Sequence, residues 1–385
     1  MLPTLIRAQD WTAQDVRITL LDTHRYLYYS GMVPEYLGGV YTQDQVRIDL
    51  AALCANAGIE FAIDPVVGLS PNRRTLQTAS GRRYSYDLVA FDIGARNPGR
   101  PAADAIQTKP LHHIEQLAQQ IDTTLETPNR RLRLVIAGGG AAGVEVGLNV
   151  AYRFRAAERA EALALTIVEQ HASVLDSFPE GMRRYATHKL ANQDVALRTG
   201  TRIDAISDGQ VTLSDGRSLP ADAVLWATGS VGHPWLTAAG LPTDDRDFIR
   251  VLPSLRPPGY PRVFAAGDCA TVIGNEAKRK VGVHAVKQGP ILRDNLEAAI
   301  QGLRCHQASH AWALTPFRPY AMAPLILSTG TREGLWTADN LWMRGRPILR
   351  LKHAIDRRWI RPYNGAFRTG GIRGVADASA AACEG

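Results

Sequence analysis

In the sequence Leu134-Val135-Ile136-Ala137-Gly138-Gly139-Gly140-Ala141-Ala142-Gly143-Val144-Glu145-Val146-Gly147, an apolar run breaks into glycines and then restarts with the periodicity of a helix. The pattern predicts a strand, a tight turn and a helix. Gly138 permits the turn, Gly140 lets the backbone approach a pyrophosphate, and Gly143 lets the helix pack closely on the strand. We therefore predict a dinucleotide-binding unit whose phosphates lie at the amino end of the helix.

An acidic residue after the next predicted strand supports this interpretation. That strand runs from Leu163 to Val168 and ends at Glu169, which lies 26 residues after Gly143. A carboxylate at about this separation accepts a hydrogen bond from a ribose 2′-hydroxyl and repels a 2′-phosphate, so we predict NAD(H) rather than NADP(H). The alternative, a structural glycine turn without a ligand, is less consistent with the flanking strand and helix.

The composition is that of an ordinary soluble globular protein, with 45% hydrophobic and 21% charged residues among 385. No run of 18 apolar residues occurs, and the first residues lack the apolar segment of a secretory signal. The four cysteines form no C-x-x-C pair, which argues against a redox-active disulfide and favours a cytoplasmic location. The histidines have no metal-ligand spacing, so no metal site is predicted.

The net charge of +7 belongs to one C-terminal segment. Residues 344–374 carry nine Lys or Arg and one acid, a local charge of +8, so we predict no nucleic-acid partner. A helix is predicted over residues 347–361. It carries one apolar stripe formed by Ile348, Leu351, Ile355 and Trp359. Two interpretations stay open: peripheral contact with the anionic inner face of the cell membrane, or packing on its own domain with a solvated basic face.

One pattern occurs twice in the chain. Val16 to Leu21 forms an apolar strand that ends at Asp22, as the later strand ends at Glu169. Each copy continues through a hairpin to a strand that closes at a glycine, at Gly94 and at Thr228-Gly229. In the first copy a helix is predicted over residues 44–57. The repetition predicts two related nucleotide-binding units.

The first copy lacks its glycine turn. In the second copy the first glycine precedes the acid by 31 residues, so its counterpart before Asp22 would fall upstream of Met1. We expect the reading frame to continue upstream and to encode an apolar run followed by G-x-G-x-x-G. The alternative is a naturally damaged first domain.

A late strand adds a further motif, Val263-Phe264-Ala265-Ala266-Gly267-Asp268. Together with Asp22, Gly94, Thr228-Gly229 and the Gly138 fingerprint, it resembles the two-dinucleotide-binding flavoproteins of the pyridine nucleotide-disulfide oxidoreductase superfamily. Within it the chain is most similar to type II NADH:quinone oxidoreductases, and to the branch associated with selenide, water dikinase. This narrower resemblance rests on Tyr29-Ser30-Gly31-Met32, Ile48-Asp49-Leu50, Lys109-Pro110, residues 282–290 and Ile355-Asp356-Arg357-Arg358.

The resemblance implies FAD and NAD(H) as cofactors. Asp268 would hold the flavin's ribityl chain, and the next helix, expected to begin near Lys287, would direct its amino end at the isoalloxazine. Lys287 and Glu145 are the catalytic candidates. Glu145 resembles the family's acid near the nicotinamide. The alternative interpretation of Glu145 is an acid in the first helical turn that complements the helix dipole. The candidate cofactor-binding residues are Asp22, Gly94, Gly138, Gly140, Gly143, Glu169, Thr228, Gly229, Gly267, Asp268 and Gln288.

We therefore predict an α/β fold with two Rossmann-like domains, the second inserted in the first, and a small C-terminal α+β module. The predicted FAD-binding domain comprises residues 1–104 and 254–310. The NAD(P)H-binding domain comprises 105–253, the C-terminal module 311–373, and a disordered tail 374–385.

The predicted function is that of an FAD-dependent NAD(P)H oxidoreductase, which passes a hydride from NADH to flavin. Because no cysteine pair is present, the electrons must go elsewhere, and the resemblance implies a quinone as acceptor. The alternative is a flavin-free, NAD-binding pseudo-enzyme or partner subunit. A ferredoxin or thiol reductase is disfavoured by the missing cysteine pair, and a homodimer is left open.

Overall fold

The computed structural model describes residues 2–99, 105–276, 280, 282–319 and 323–365. The helices in these ranges are α1 (Leu2–Thr12), α2 (Val33–Leu37), α3 (Gln43–Val46), α4 (Leu50–Asn56), α5 (Ile114–Glu126), α6 (Ala141–Ala156), α7 (Glu180–Ala191), α8 (Pro234–Ala238), α9 (Gly282–Arg304) and α10 (Arg346–Ile360).

The strands in the same ranges are β1 (Thr19–Asp22), β2 (Tyr26–Tyr28), β3 (Arg47–Asp49), β4 (Glu60–Ile63), β5 (Val66–Ser70), β6 (Thr75–Thr78), β7 (Arg83–Ser85), β8 (Val89–Phe91), β9 (Ala105–Gln107), β10 (Leu132–Ala137), β11 (Leu163–Glu169), β12 (Ala196–Thr199), β13 (Ile203–Ser207), β14 (Gln210–Leu213), β15 (Ser218–Pro220), β16 (Ala223–Trp226), β17 (Ile249–Val251), β18 (Val263–Ala265), β19 (Ala270–Val272), β20 (Leu325–Ser328), β21 (Gly334–Ala338) and β22 (Leu341–Gly345).

A five-stranded parallel sheet carries the glycine turn. Its strand order is β12-β11-β10-β16-β9, with β10 in the middle. Leu134 of β10 lies opposite Leu165 on one side and Ala223 on the other. The segment from Leu134 to Ala137 is buried, as expected of a central parallel strand covered on both faces. The strand, turn and helix predicted around Gly138 are therefore confirmed.

The first copy of the repeat has a related but divided arrangement. Its parallel strands form two pairs, β4 with β1 and β18 with β8. Each copy also has a three-stranded antiparallel sheet, β5-β6-β7 in the first and β13-β14-β15 in the second. Among the described residues, no strand of the first copy corresponds to β10. The parallel sheets, helices and small antiparallel sheets confirm the predicted α/β fold, whereas the domain boundaries remain a prediction.

The continuous helix predicted over residues 44–57 is wrong, because a strand at residues 47–49 interrupts it. Helix α3 ends at Val46, and the chain then extends as β3, which pairs antiparallel with β2. Helix α4 begins only after Asp49, whose side chain accepts a hydrogen bond from the N–H of Ala52 at 3.1 Å. The strand pairing and this N-cap replace the continuous helix that the apolar periodicity favoured.

The C-terminal module consists of the antiparallel sheet β20-β21-β22 and α10, which packs on it. Strand β20 also contacts α6, so the module lies against the helix that follows the glycine turn. The helix predicted over 347–361 is observed as α10, one residue earlier at each end. The predicted disordered tail, 374–385, lies outside the described residues.

Helix α10 buries two charged side chains and exposes two apolar ones. Lys352 and Asp356 are each only 5% exposed, whereas Leu351 and Ile355 are 49% and 50% exposed. The predicted apolar stripe is therefore divided, because Leu351 and Ile355 face solvent whereas Trp359 is partly buried and stacks on Tyr29 at 4.1 Å. Among the described helices, none is both long and apolar enough to cross a bilayer.

Candidate functional site

The glycine turn between β10 and α6 excludes side chains at two of its predicted glycines. Gly138 has a φ of +106°, and a Cβ there would lie 2.7 Å from the carbonyl oxygen of Ala227. A Cβ at Gly143 would overlap the carbonyl oxygen of Gly138. Both positions therefore require glycine for the turn itself and for the close approach of helix to strand.

Gly140 has a different environment, because no atom lies within 4 Å of the position of its Cβ. It is the N-cap residue of the 16-residue helix α6, and no side chain caps the free amides of that helix end. An open space in front of uncapped amides at a helix amino terminus is suited to a phosphate group. The turn therefore fits the pyrophosphate of a dinucleotide.

Glu169 is held beside this turn at the carboxyl end of β11. Its Oε2 accepts a hydrogen bond from the N–H of Gly139 at 2.6 Å, and its Oε1 accepts one from the N–H of His171 at 2.8 Å. The carboxylate is therefore fixed next to Gly140, although only 7% of the residue is exposed. Its contact with a ribose remains a prediction.

Thr228 and Gly229 follow the neighbouring strand β16 and are fixed by Asn97. The Asn97 amide donates to the carbonyl oxygen of Thr228 at 3.1 Å and accepts from the N–H of Lys109 at 3.1 Å. The Thr228 hydroxyl is buried and has no hydrogen-bond partner among the described residues. Such an atom is often satisfied by a bound ligand or water. Sequence reasoning did not single out Asn97.

Gly267, Asp268 and Gln288 line one shallow depression. Gly267 has a φ of +71°, and its N–H donates to the buried Gln288 side chain on α9 at 2.6 Å. The Asp268 carboxylate remains partly exposed and lies 3.4 Å from the ammonium of Lys109. Lys287, the other predicted residue of this region, is half-buried on α9 beside Gln288.

Asp22 and Gly94 occupy the corresponding strand ends in the first copy. Asp22 ends β1 and accepts a hydrogen bond from the N–H of His24 at 3.1 Å, while burial raises the pKa of its carboxyl group. Gly94 follows β8 with a φ of +66° and open space at its Cβ position. They match Glu169 and Thr228 in the second copy, at the sheet edge where parallel α/β proteins bind ligands.

Glu145 lies beyond the first turn of α6, which contains no acid, so the interpretation as a first-turn acid is wrong. Its Oε1 accepts hydrogen bonds from the N–H of Ser328 at 2.7 Å and from the Ser328 hydroxyl at 3.1 Å. The ammonium of Lys352 lies 3.9 Å from the same oxygen. The carboxylate is thus attached to the C-terminal module.

Lys352 joins three parts of the chain in the interior. Its ammonium donates to the carbonyl oxygen of Gly31 at 2.6 Å, to Glu35 at 2.6 Å and to Asp356 at 2.8 Å. We call the ionisable side chains gathered here the Lys352 cluster. Its members are Tyr29, Glu35, Glu145, Lys352, His353 and Asp356.

The members of the Lys352 cluster influence one another's protonation. Burial raises the pKa of Glu145 to about 7, although Lys352 and the Ser328 N–H oppose the shift. Burial works against the charge of Lys352, but Glu145, Asp356 and Glu35 raise its pKa overall. For Glu35, burial is outweighed by hydrogen bonds from His353 and Lys352, so its pKa is lowered. Of these three groups, Glu145 is the carboxyl whose pKa is raised toward neutral pH.

The cluster was missed as a site, yet the sequence contained a signal for it. Tyr29, Gly31 and Asp356 all stand in motifs that carry the family resemblance. The Tyr29 hydroxyl donates to Asp356 at 3.1 Å, so two distant motifs meet in one contact.

No group of three or more His, Cys, Asp or Glu side chains in the described part of the chain is arranged to hold a metal ion. Cys54 and Cys269 are buried, and burial raises the pKa of their thiols to about 11 and about 12. Cys305 is exposed, and Cys383 lies outside the described residues. The three described cysteines are free thiols.

A family model described as pyridine nucleotide-disulphide oxidoreductase matches residues 4–289. A probable NADH dehydrogenase of Dictyostelium discoideum is 28% identical over 208 residues, which cover 49% of this chain and 46% of that protein. The demethylphylloquinone reductase of a Synechocystis strain is 28% identical over 265 residues, which cover 66% of this chain and 64% of that protein. The chain therefore spans about half to two thirds of the length of these two relatives.

The fold is also similar to that of a solved structure, NDH2 from Plasmodium falciparum in complex with NADH. The TM-score is 0.74, and the alignment covers 95% of this chain and 97% of that one. Only 12% of the aligned residues are identical, so the likeness concerns the fold alone.

Proposed function

Because the chain belongs to the pyridine nucleotide-disulphide oxidoreductase family, as the resemblance predicted, we propose that it is an FAD-dependent oxidoreductase that uses NADH to reduce a quinone. In this reaction NADH, one proton and the quinone become NAD⁺ and quinol, so two electrons and two hydrogens reach the quinone. The protein's task is to bind and orient the nicotinamide, the flavin and the acceptor and to provide the proton.

The glycine turn is the observation that carries the proposal. Gly138 and Gly143 have no room for a side chain, whereas Gly140 faces open space at an uncapped helix end. The carboxylate of Glu169 is fixed beside the turn and supports a preference for NADH over NADPH. Lys287 and Glu145 remain the proposed catalytic residues.

The depression at Asp268 fits the flavin. Its partly exposed carboxylate is able to accept hydrogen bonds from the hydroxyl groups of a ribityl chain, and Gln288 holds the preceding turn through the N–H of Gly267. Asp268 and Gln288 would hold the ribityl side of the flavin. Asp22 and Gly94 would bind its nucleotide part, because they lie at strand ends that correspond to those of Glu169 and Thr228 in the five-stranded sheet. When bound, the flavin supplies the capacity to take a hydride and pass electrons on.

Two observations support a quinone as acceptor. One relative is a demethylphylloquinone reductase. In addition, the described cysteines are free thiols and the sequence contains no cysteine pair, which disfavours a thiol or disulfide as the electron carrier.

The decisive experiment measures flavin content and NADH oxidation in the purified chain. We expect a yellow protein that oxidises NADH when a water-soluble quinone is added. Asp268→Ala is expected to lose flavin, while the exposed Asp204→Ala serves as the matched control. A colourless protein that binds NADH but oxidises none of it would favour the flavin-free alternative and contradict the proposal.

We also infer that α10 and β22 contact the inner face of the cell membrane, where a lipid-soluble quinone would be reached. The exposed large apolar residues of this region are Leu341, Met343, Leu351 and Ile355. The same stretch of the chain carries the exposed residues Arg344, Arg346, Arg350, Arg357 and Arg358, whose positive charge favours anionic lipid.

A further inference from the structure

A cavity open to solvent lies where α6 and α7 meet the C-terminal module. Its volume is about 420 Å³, which is within the range of roughly 300 to 1,000 Å³ that small-molecule sites occupy. Of the six described residues that line it, three are cations and one is an anion. They are Tyr152 on α6, Lys189 on α7, Thr331, Arg332 and Glu333 in the turn between β20 and β21, and Arg346, the first residue of α10.

The walls of this cavity are held by two close approaches between the module and the helices. Gly330 has a φ of +70°, and a Cβ there would lie 2.5 Å from the carbonyl oxygen of Leu148 on α6. A Cβ at Gly181 on α7 would lie 2.6 Å from the indole nitrogen of Trp342 on β22. Because no side chain fits at either contact, the turn and the sheet lie directly against the two helices.

The single carboxylate of the lining is already balanced. Oε2 of Glu333 accepts hydrogen bonds from the Tyr185 hydroxyl at 2.7 Å and from the Lys189 ammonium at 3.1 Å. Arg344 lies 3.9 Å from the other oxygen. The hydrogen bond from Tyr185, together with Lys189, lowers the pKa of Glu333, so this carboxylate is ionised at neutral pH and neutralises Lys189.

Arg332 and Arg346 are left with uncompensated charges. Neither guanidinium forms an ion pair or a hydrogen bond with any residue that the structure describes, and both side chains are exposed. A guanidinium binds the oxygens of a phosphate through two parallel hydrogen bonds. The net charge of +2 on the lining matches the charge of about −1.5 to −2 on a phosphate monoester near neutral pH. Tyr152 adds a hydroxyl donor.

We propose that this cavity binds a phosphate monoester, held by Arg332 and Arg346. The same group occurs in soluble phosphate esters and in the headgroup of phosphatidic acid. The site is distinct from the glycine turn, because Tyr152 follows Gly140 by 12 residues of the same helix. At about 1.5 Å per residue, the two positions are about 18 Å apart along the helix axis. The proposal goes beyond the proposed oxidoreductase function and does not depend on it.

The first test is a calorimetric titration with glycerol 3-phosphate. We expect the native protein to bind it, and Arg332→Gln and Arg346→Gln each to weaken binding by roughly tenfold or more, because a charged donor pair to the phosphate is lost. Arg83→Gln is the matched control, since Arg83 is exposed on β7 and the change of net charge is the same. Equal affinities of Arg332→Gln and Arg83→Gln would overturn the site.

A second variant is expected to act in the opposite direction. Glu333→Gln keeps the size of the side chain, removes the anion from the lining and releases Lys189 from its ion pair. We expect glycerol 3-phosphate to bind severalfold more tightly to this variant. Damage to the fold does not raise affinity, so a gain supports the site independently of the arginine variants. An unchanged or weaker affinity would overturn the charge argument for the cavity.

The lipid source is tested by sedimentation with vesicles of phosphatidylcholine that contain either phosphatidic acid or phosphatidylglycerol at equal surface charge. A preference for phosphatidic acid that Arg332→Gln abolishes and Arg83→Gln retains identifies the ligand as a lipid headgroup. Binding of glycerol 3-phosphate without that preference identifies a soluble ester. If neither glycerol 3-phosphate nor phosphatidic acid is bound in a way that depends on Arg332, the proposal is wrong, whatever the protein does with NADH and quinone.

Discussion

At the scale of single residues, Gly140 and Gly143 are glycines for opposite reasons. A side chain at Gly143 meets the backbone of its own turn, whereas a side chain at Gly140 meets nothing in the protein. The fold therefore requires glycine at position 143, whereas at position 140 only the proposed dinucleotide would require it.

We expect Gly143→Ala to lower the free energy of unfolding by roughly 1 to 3 kcal/mol or more, because the new methyl group overlaps the Gly138 carbonyl. Gly140→Ala is expected to change stability by less than about 0.5 kcal/mol. It should nevertheless weaken NADH binding by roughly tenfold, since its methyl group fills the space for the pyrophosphate. Denaturant unfolding and NADH titration measure both effects, and equal stability of the two variants would contradict the assignment.

Glu169 supplies a second prediction at this scale. The native protein is expected to bind NADH more tightly than NADPH, because the fixed carboxylate repels a 2′-phosphate. Glu169→Gln keeps the size of the side chain but removes its charge. We therefore expect the ratio of the NADH affinity to the NADPH affinity to fall by about tenfold, which corresponds to a change of about 1.4 kcal/mol in relative binding free energy. Titration of both cofactors against both proteins measures the ratio, and an unchanged ratio would show that the carboxylate does not select the cofactor.

The glycines and Glu169 were predictable because their spacing along the chain reflects a local strand, turn and helix. Asn97 was not, since the carbonyl groups it binds lie 131 and 132 residues away. An asparagine with a purely long-range role leaves no periodic pattern in the sequence.

At the scale of elements, α10 shows where helical periodicity misleads. All four residues of the predicted apolar stripe lie within this helix, but Leu351 and Ile355 face solvent. The inward face is charged because Gly31, Glu35 and Tyr29 provide partners for Lys352 and Asp356. Buried charges with such partners are compatible with folding, and the partners stand more than 300 residues away.

The membrane contact is tested at this scale by replacing both exposed aliphatic residues, in Leu351→Ser with Ile355→Ser. We expect binding to vesicles that contain anionic lipid to fall at least tenfold, because each side chain contributes about 1 kcal/mol when half of its surface is removed from water. Ala354→Ser, on the same exposed side of α10, is the matched control. Native binding is expected to weaken with salt.

Sedimentation with vesicles measures the binding. Native binding that is indifferent to salt and lipid charge, or equal binding by the double variant, would leave α10 as a packing element only.

At the scale of the whole molecule, the Lys352 cluster makes stability depend on pH. The pKa of Glu145 is about 7 in the folded chain against 4.5 in the unfolded one, so folding takes up a proton between these values. When the pKa of a group is higher in the folded chain than in the unfolded chain, its protonated form stabilises the fold. This stabilisation is complete below the unfolded pKa and is lost as the pH rises through the folded pKa. The difference corresponds to roughly 3 kcal/mol.

We therefore expect the unfolding free energy of native protein to fall, relative to that of Glu145→Gln, as the pH rises from about 4.5 to about 7, and to level off above it. Asp356, whose pKa burial also raises, is present in both proteins, so the difference between them reports the change at Glu145 together with its effect on Asp356 through Lys352. Denaturant unfolding across this range measures the difference. A difference that is constant with pH would show that Glu145 is ionised throughout.

The general architecture was predictable because the glycine turn, the acids that end two strands and the repeated hairpins are patterns within neighbouring residues of the chain. The attachment of the C-terminal module was not predictable, because it depends on single polar contacts between α10, α2 and α6. Such contacts carry no periodicity, and only the folded arrangement brings their residues together.

The separation of Glu35 and Lys352 by 317 residues also bears on how a newly made chain matures. A ribosome adds about 5 to 20 residues per second, so Glu35 leaves it roughly 15 to 60 seconds before its cation is made. During that interval Glu35 and Glu145 have no Lys352 to balance them, and burying either as an anion is unfavourable. Closure of the chain around Glu35 is therefore expected to wait until the last helix emerges, and synthesis that stops before Lys352 should yield a chain that chaperones hold and proteases remove.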